Sequence, residues 1–194
     1  PASSTISDKI NFWLRYAILA PSAHNTQPWL FTISDNKLLV RKDYENMLSS
    51  GDPTSRQAYL GLGACVENFC LAAGHWGYRA FISHQAFLVN EDPIAVIELK
   101  PGSRTSSPLY HGIIKRHTSR EPYKSTINFD LDELMKYGSL GCARQIFITD
   151  SKIKKTIAKL AGNAMGIGLS MNAMKEELME FVYSNNKPQD TGMA

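Results

Sequence analysis

The chain has 194 residues, 43% of them hydrophobic and 20% charged, and a formal net charge of +3. That composition suits one ordinary globular domain, or two small intertwined halves, and excludes a low-complexity or disordered chain. Charges of both signs are interspersed, so there is no basic footprint for nucleic acid, although a modestly basic surface favours anionic ligands such as phosphates. The three cysteines, Cys65, Cys70 and Cys142, have no paired spacing. They argue against a disulfide framework and against metal ligation. No apolar run reaches the length of a membrane span, and no signal-peptide pattern is visible. The expectation is a cytoplasmic protein that works away from membranes. The chain opens on Pro1 rather than Met, which fits a segment removed or left out ahead of it.

Taken in order, Ile10, Trp13, Leu14, Ala17 and Ile18 recur at helical spacing, with Ser7 as the expected N-cap and Pro21 as the stop. Trp29 to Ile33 and Lys37 to Arg41 read as strands joined by the turn chemistry of Ser34-Asp35-Asn36. Asp52-Pro53 reads as N-cap and first residue of a second helix, which runs to about Trp76 and ends at Gly77. Gly61, Gly63, Ala64, Cys65, Ala72, Ala73 and Gly74 punctuate it. So many small residues weaken an exposed helix and suit one whose backbone is approached closely, so a central, buried helix is expected.

Tyr78 to Ser83 and Ile94 to Leu99 read as strands, with Ala86 to Val89 as a short extra one. Pro101 to Ser107 is the best linker candidate, and Pro108 opens a third helix that ends in Lys115-Arg116-His117-Thr118-Ser119-Arg120. Further on, the pattern predicts a helix over Asp130 to Tyr137, a strand over Gln145 to Thr149 and a helix capped by Asp150. A Gly-rich break over Asn163 to Gly168 and a last helix over Asn172 to Val182 complete the chain. Strands and helices without strict alternation predict an α+β fold, with a mostly antiparallel sheet flanked by helices.

The segment Pro21-Ser22-Ala23-His24-Asn25-Thr26-Gln27-Pro28-Trp29 joins the first helix to the first strand. By itself it reads as a tight connection whose Ser and Asn bond the local backbone or a ligand. The string Pro-Ser-x-x-Asn-x-Gln-Pro-Trp strongly resembles the signature loop of the nitroreductase family of FMN enzymes. Arg116-His117-Thr118-Ser119-Arg120 is similar to that family's opening Arg-x-Ser-x-Arg/Lys motif, and Tyr59-Leu60-Gly61-Leu62-Gly63 looks like its central helix. Without the loop, the basic run reads as a solvated helix end favoured by the helix dipole.

The resemblance implies two tandem half-repeats, residues 1–107 and 108–194, the second incomplete at its C-terminal end. The first copy keeps the loop and lacks the opening motif, and the second keeps the motif and lacks the loop. This is the pattern of the duplicated, Acg-type branch. It implies an intramolecular pseudo-dimer with one FMN site, a further homodimer being left open, and a natural chain that continues past Ala194.

By the same resemblance Ser22, Ala23 and Asn25 contact the isoalloxazine, with Pro21 in the same cofactor-binding loop. Arg116 and Thr118 hold the phosphate and ribityl side and Arg120 reaches the N1/O2 edge; His117 is counted with the cofactor-binding residues, a solvent-exposed or turn-stabilising role being the alternative, and Asn163 is a weaker polar candidate. No metal, and no catalytic side chain, is implied. The implied activity is FMN-dependent NAD(P)H oxidoreduction of nitro compounds or quinones by ping-pong hydride transfer, with a small-molecule acceptor as partner. The alternative is an FMN-binding storage, sequestration or regulatory protein with little turnover.

Overall fold

A computed structural model describes residues 4–84, 93–119, 130, 132, 135 and 145–182. Strands β1 (Trp29–Ser34), β2 (Lys37–Lys42), β3 (Tyr78–His84) and β4 (Ala95–Pro101) form one sheet in the order β1-β2-β4-β3, every pair antiparallel. The described helices are α1 (Ile6–Ala17), α2 (Arg56–His75), α3 (Pro108–Lys115), α4 (Ser151–Ser170) and α5 (Asn172–Glu180). The fold is α+β, as the sequence predicts.

Two compact units divide the chain, one made of residues 1–118 and 172–194 and the other of residues 119–171. In the first, one face of the sheet is buried. Leu38 lies opposite Ile97 and Val40 opposite Ala95, all four buried. Strand alternation places these residues on one side, where they meet Ile10, Trp13 and Ala17 of α1 and Leu62, Cys65, Phe69, Ala72 and Ala73 of α2 in a single core. Each large apolar side chain so buried contributes roughly 1.5–3 kcal/mol relative to exposure. Trp13 sits edge-on to Phe69 with centroids 6.1 Å apart, and Tyr78 tilts against it at 5.0 Å.

The helix starts differ from the expectations. The cap of α1 is Thr5, not Ser7: the Thr5 hydroxyl accepts from the Asp8 amide and the Asp8 carboxylate accepts from the Thr5 amide. That reciprocal box satisfies two donors, which Ser7 could not. Helix α2 begins at Arg56 after Ser55 in the left-handed region, rather than at Pro53. Ser55 makes no side-chain cap bond there, and Asp52, buried, accepts from the Ala58 amide at 2.9 Å in its place. Gly77 ends the turn after α2 with φ +84°, as expected of a residue past a helix end.

The central helix is buried on one face only. Gly61, Leu62 and Val66 are buried and Ala64 is half-buried, but Gly63 is exposed with open space where a side chain would be. Residues 102–107 are irregular and pinned: the Gly102 amide donates to Gly77 and the Thr105 amide to Gly74.

In the second unit, 145–149 is not a strand. No described segment offers it a ladder, and an unpaired strand leaves its backbone groups unsatisfied by protein. The expected break at 163–168 is also absent, because α4 runs unbroken from Ser151 to Ser170. Single glycines among Ala, Met and Ile cost a helix about 1 kcal/mol each without ending it. The Asp150 carboxylate caps α4 by accepting from the amides of Lys152 and Ile153. Of the 130–137 expectation, Asp132 and Met135 are helical and Asp130 is not, its carboxylate accepting from the Asp132 amide, whereas the other residues and the Ala86 to Val89 strand lie outside the described residues.

Candidate functional site

After α1 the chain tightens. The amides of Leu19 and Ala20 donate three residues back, to Tyr16 and Ala17, before Pro21 stops the helix. Residues Ala23–Asn25 then form a single 3-10 turn. His24, Asn25 and Gln27 have φ of +50°, +55° and +49°. Non-glycine residues held there cost on the order of 1–3 kcal/mol each, and persist only where their surroundings impose them.

Those surroundings are visible. The Ser22 hydroxyl accepts from the Gln27 amide at 3.0 Å, the Asn25 amide donates to Ser22 O and the Thr26 amide to Ala23 O. Thr26, Pro28 and Trp29 are buried and anchor the exit, so Trp29 is a core residue as expected. From behind, α2 presses on the loop through Gly61: a β-carbon there would stand 3.1 Å from Pro21 O and 3.6 Å from Ser22 Cβ. The Pro21 carbonyl closes on the helix backbone at that point, so a side chain there makes the loop or the helix give way. The outer surface is left to exposed Pro21 and Asn25 and half-buried Ser22, Ala23 and His24.

The second motif reaches the same place. Arg116 follows α3 in extended conformation, and its guanidinium donates to Leu19 O at 3.1 Å and to the Thr118 hydroxyl at 3.3 Å. Leu19 is two residues before Pro21, so the bond ties together segments 97 residues apart. The carbonyl lies just past the C-terminal end of α1, where a cation suits the helix dipole. Pro21, Ser22, Ala23, Asn25, Arg116 and Thr118 are thus parts of one region, with His117 exposed between the last two. Arg120 lies outside the described residues. Asn163 is an exposed residue within α4, in the other compact unit.

Gly61 and the Leu19 carbonyl escaped the sequence reading as site components. The small-residue run around Gly61 carried the signal for the first, and nothing marks a backbone carbonyl. A cation beside the loop also escaped. Lys42 lies opposite Trp29, donates to the Tyr59 hydroxyl at 3.1 Å and sits 4.9 Å from the Tyr44 ring centre. Partial burial works to lower its pKa, and the hydrogen bonds and charge of Tyr59 and Tyr44 outweigh that, leaving it raised.

A separate open cavity of about 540 Å³ is lined by Cys70, Gly74, Tyr78, Arg79, Gly102 and Thr105, among others. Gly74 is thirteen residues along α2 from Gly61, about 20 Å by helical rise, so this cavity is not part of the loop region. Burial pushes the Cys70 thiol up to about 12, with Glu67 adding to the effect, and burial alone does the same at Cys65. Cys65 is buried in the core and Cys70 is half-buried, and a thiol so raised is held in its protonated, less nucleophilic form. Among the described residues no cluster of His, Cys, Asp and Glu could hold a metal, and no helix is long and apolar enough to cross a membrane.

No family model matches the chain. It is 30% identical over 141 residues, 69% of its own length, to a Mycobacterium tuberculosis protein named "Putative NAD(P)H nitroreductase acg". A second protein of that organism, "Putative NAD(P)H nitroreductase Rv3131", is 28% identical over 112 residues, 57% of this chain. The chain spans 41% and 33% of the length of these two relatives. A solved structure described as a "Putative NADH Oxidase" from Clostridium acetobutylicum covers 50% of this chain and 78% of its own, with a TM-score of 0.41 and 21% identity. Over most of its length this chain is thus similar to curated proteins named "Putative NAD(P)H nitroreductase", in line with the resemblance carried by its two motifs.

Proposed function

We propose that this chain contributes to an FMN-dependent NAD(P)H oxidoreductase of nitroreductase type, built from tandem half-repeats. The observation that carries the reading is the Arg116–Leu19 bond, which sets the basic motif against the Pro21–Asn25 loop although the two are far apart in sequence. The names of the Mycobacterium tuberculosis relatives support the same activity.

The donor set fits a flavin mononucleotide. Arg116 spends two guanidinium contacts on the protein and has further N–H groups for a phosphate. Thr118 is beside it for the phosphate and ribityl side, with His117 between. Ser22 uses its oxygen to accept from Gln27, so its own proton remains for a ring acceptor. Asn25 and the backbone of Pro21 and Ala23 present an exposed edge to the rings, and Arg120 is assigned to their N1/O2 edge. FMN held there would supply hydride chemistry between NAD(P)H and a nitro compound or quinone. The chain's part is to hold and orient the rings on a loop that Gly61 and Gln27 keep from shifting, and to place a cation where negative charge grows.

Titration of FMN into the purified chain, with NADH and NADPH oxidation followed in the presence of a nitroaromatic or a quinone, tests the reading. FMN binding that falls about tenfold or more in Arg116→Ala is expected, because charge-assisted bonds are lost. A chain that takes up no FMN overturns the reading. One that binds FMN but oxidises no NAD(P)H with any acceptor supports a storage or regulatory protein.

A further inference from the structure

The turn between β2 and α2 holds a carboxylate that no sequence motif announces. Ser50 and Gly51 present successive backbone N–H groups, and Glu177 of α5 lies between them. The Ser50 amide donates to Oε2 at 2.8 Å, the Gly51 amide to Oε1 at 2.7 Å and the Ser49 hydroxyl to Oε2 at 3.1 Å. Both carboxylate oxygens are engaged, by donors 126 to 128 residues away in sequence. A β-carbon on Gly51 would stand 3.1 Å from Oε1, so the absence of a side chain there lets the carboxylate close on the turn. Of the acids on α5, Glu176 and Glu180 are exposed and Glu177 is half-buried. Successive amides that converge on an anion form the same concavity that captures phosphates elsewhere, here filled by the chain's own side chain.

We propose that Glu177, seated in the Ser49–Gly51 turn, is a latch that fixes α5 to the first compact unit. The latch stands whether or not the loop region holds a flavin. Residues 119–171 leave the first unit just after Arg116, which is pinned on Leu19, and the chain rejoins that unit at α5. Each end of the excursion is therefore secured by one charged side chain on backbone groups. These contacts are charge-assisted and specific in direction, so a neutral or shortened side chain releases α5 without disturbing the sheet.

Amide hydrogen exchange on the full chain tests the latch. In Glu177→Ala, the amides of Ser50, Gly51 and α5 exchange about tenfold faster or more, the amides of β2 and β4 are unchanged, and Glu176→Ala exchanges as wild type. Equal exchange in Glu177→Ala and wild type overturns the proposal, as does an equal gain in Glu176→Ala. If the sheet amides of Glu177→Ala also lose protection, the unmodified chain decides. Ser50 and Gly51 amide shifts are then followed through the Glu177 titration, together with Asp52 on the turn and Lys175, Glu176 and Glu180 on α5. Shifts that track Glu177 uphold the latch, and shifts that ignore it overturn it.

Discussion

Helices α2 and α4 are both 20 residues long, and each carries three glycines, yet α2 buries eight residues and α4 none. The apolar stripe of α4, with Ile153, Ile157 and Leu160, is the more regular of the two in sequence, and all three side chains are exposed. Periodicity therefore identified a helix in both cases and did not identify its burial. Small residues alone did not either, since Gly63 of α2 faces open space; what separates the helices is that two of the α2 glycines meet a neighbouring segment. Gly61 faces Pro21 O and Gly74 faces Thr105, whereas Gly162 and Gly166 of α4 face open space.

The largest effect expected from this contrast is in the cores. Phe69→Ala removes a fully buried ring that packs on Trp13, and costs about 3–5 kcal/mol. Leu160→Ala in α4, exposed by 63%, changes stability by less than about 0.5 kcal/mol. Denaturant unfolding of the two variants measures the gap, and equal losses would mean that α4 is as packed as α2.

What was legible follows the same line. Strands β1 and β2 and the turn between them were readable because alternation, Ser34-Asp35-Asn36 and a buried face all agree, and the Asn36 side chain confirms the turn by donating to Leu99 O. The loop was recognisable from Pro21, Ser22 and Asn25, but its left-handed His24 and Gln27 were not, since neither is glycine. Caps were misplaced by two or three residues because Thr5 and Ser7, or Asp52 and Ser55, are chemically equivalent candidates until the turn geometry is known. The 145–149 segment misled because strand propensity describes a residue's fit to a sheet, and no described segment pairs with it.

Gly61→Ala comes next in size. Its β-carbon would meet the Pro21 carbonyl at 3.1 Å, so the loop or the helix must give. Overpacking costs about 1–3 kcal/mol, against roughly 1 kcal/mol gained in helix propensity. A net loss of stability is expected, together with weaker FMN binding as the loop shifts. A stabilised variant with unchanged FMN affinity would show that the close contact does not constrain the loop.

Helix α5 follows α4 directly and differs from it in having a charged anchor. Partial burial works to raise the Glu177 pKa, and the bonds from Ser50, Gly51 and Ser49 outweigh it, so the net shift is downward from 4.5. A carboxylate depressed in the folded state contributes stability that is present above its unfolded pKa and lost as pH falls through its folded one. Protection of α5 amides is therefore constant from neutrality to about pH 4.5 and declines below it, whereas Glu177→Gln gives weak protection at every pH. Protection in the wild type that begins to fall well above pH 5 would point to another group.

The smallest effect has the opposite sign. Gly166 lies inside α4, and a β-carbon there meets nothing within 4 Å. Alanine at this position restricts the unfolded chain and adds helix propensity without a clash, a gain of roughly 0.5–1 kcal/mol for the helix. The same substitution at Gly61 is expected to be destabilising, so the pair isolates the approaching backbone as the cause, with residue chemistry and helix length held equal. Amide exchange within α4, slowed about two- to fivefold in Gly166→Ala, is the measurement, since an exposed helix reports its own propensity more directly than global unfolding does. Faster exchange in Gly166→Ala would mean that the open space beside Gly166 is filled in solution, and that α4 has a neighbour against this glycine as α2 has at Gly61.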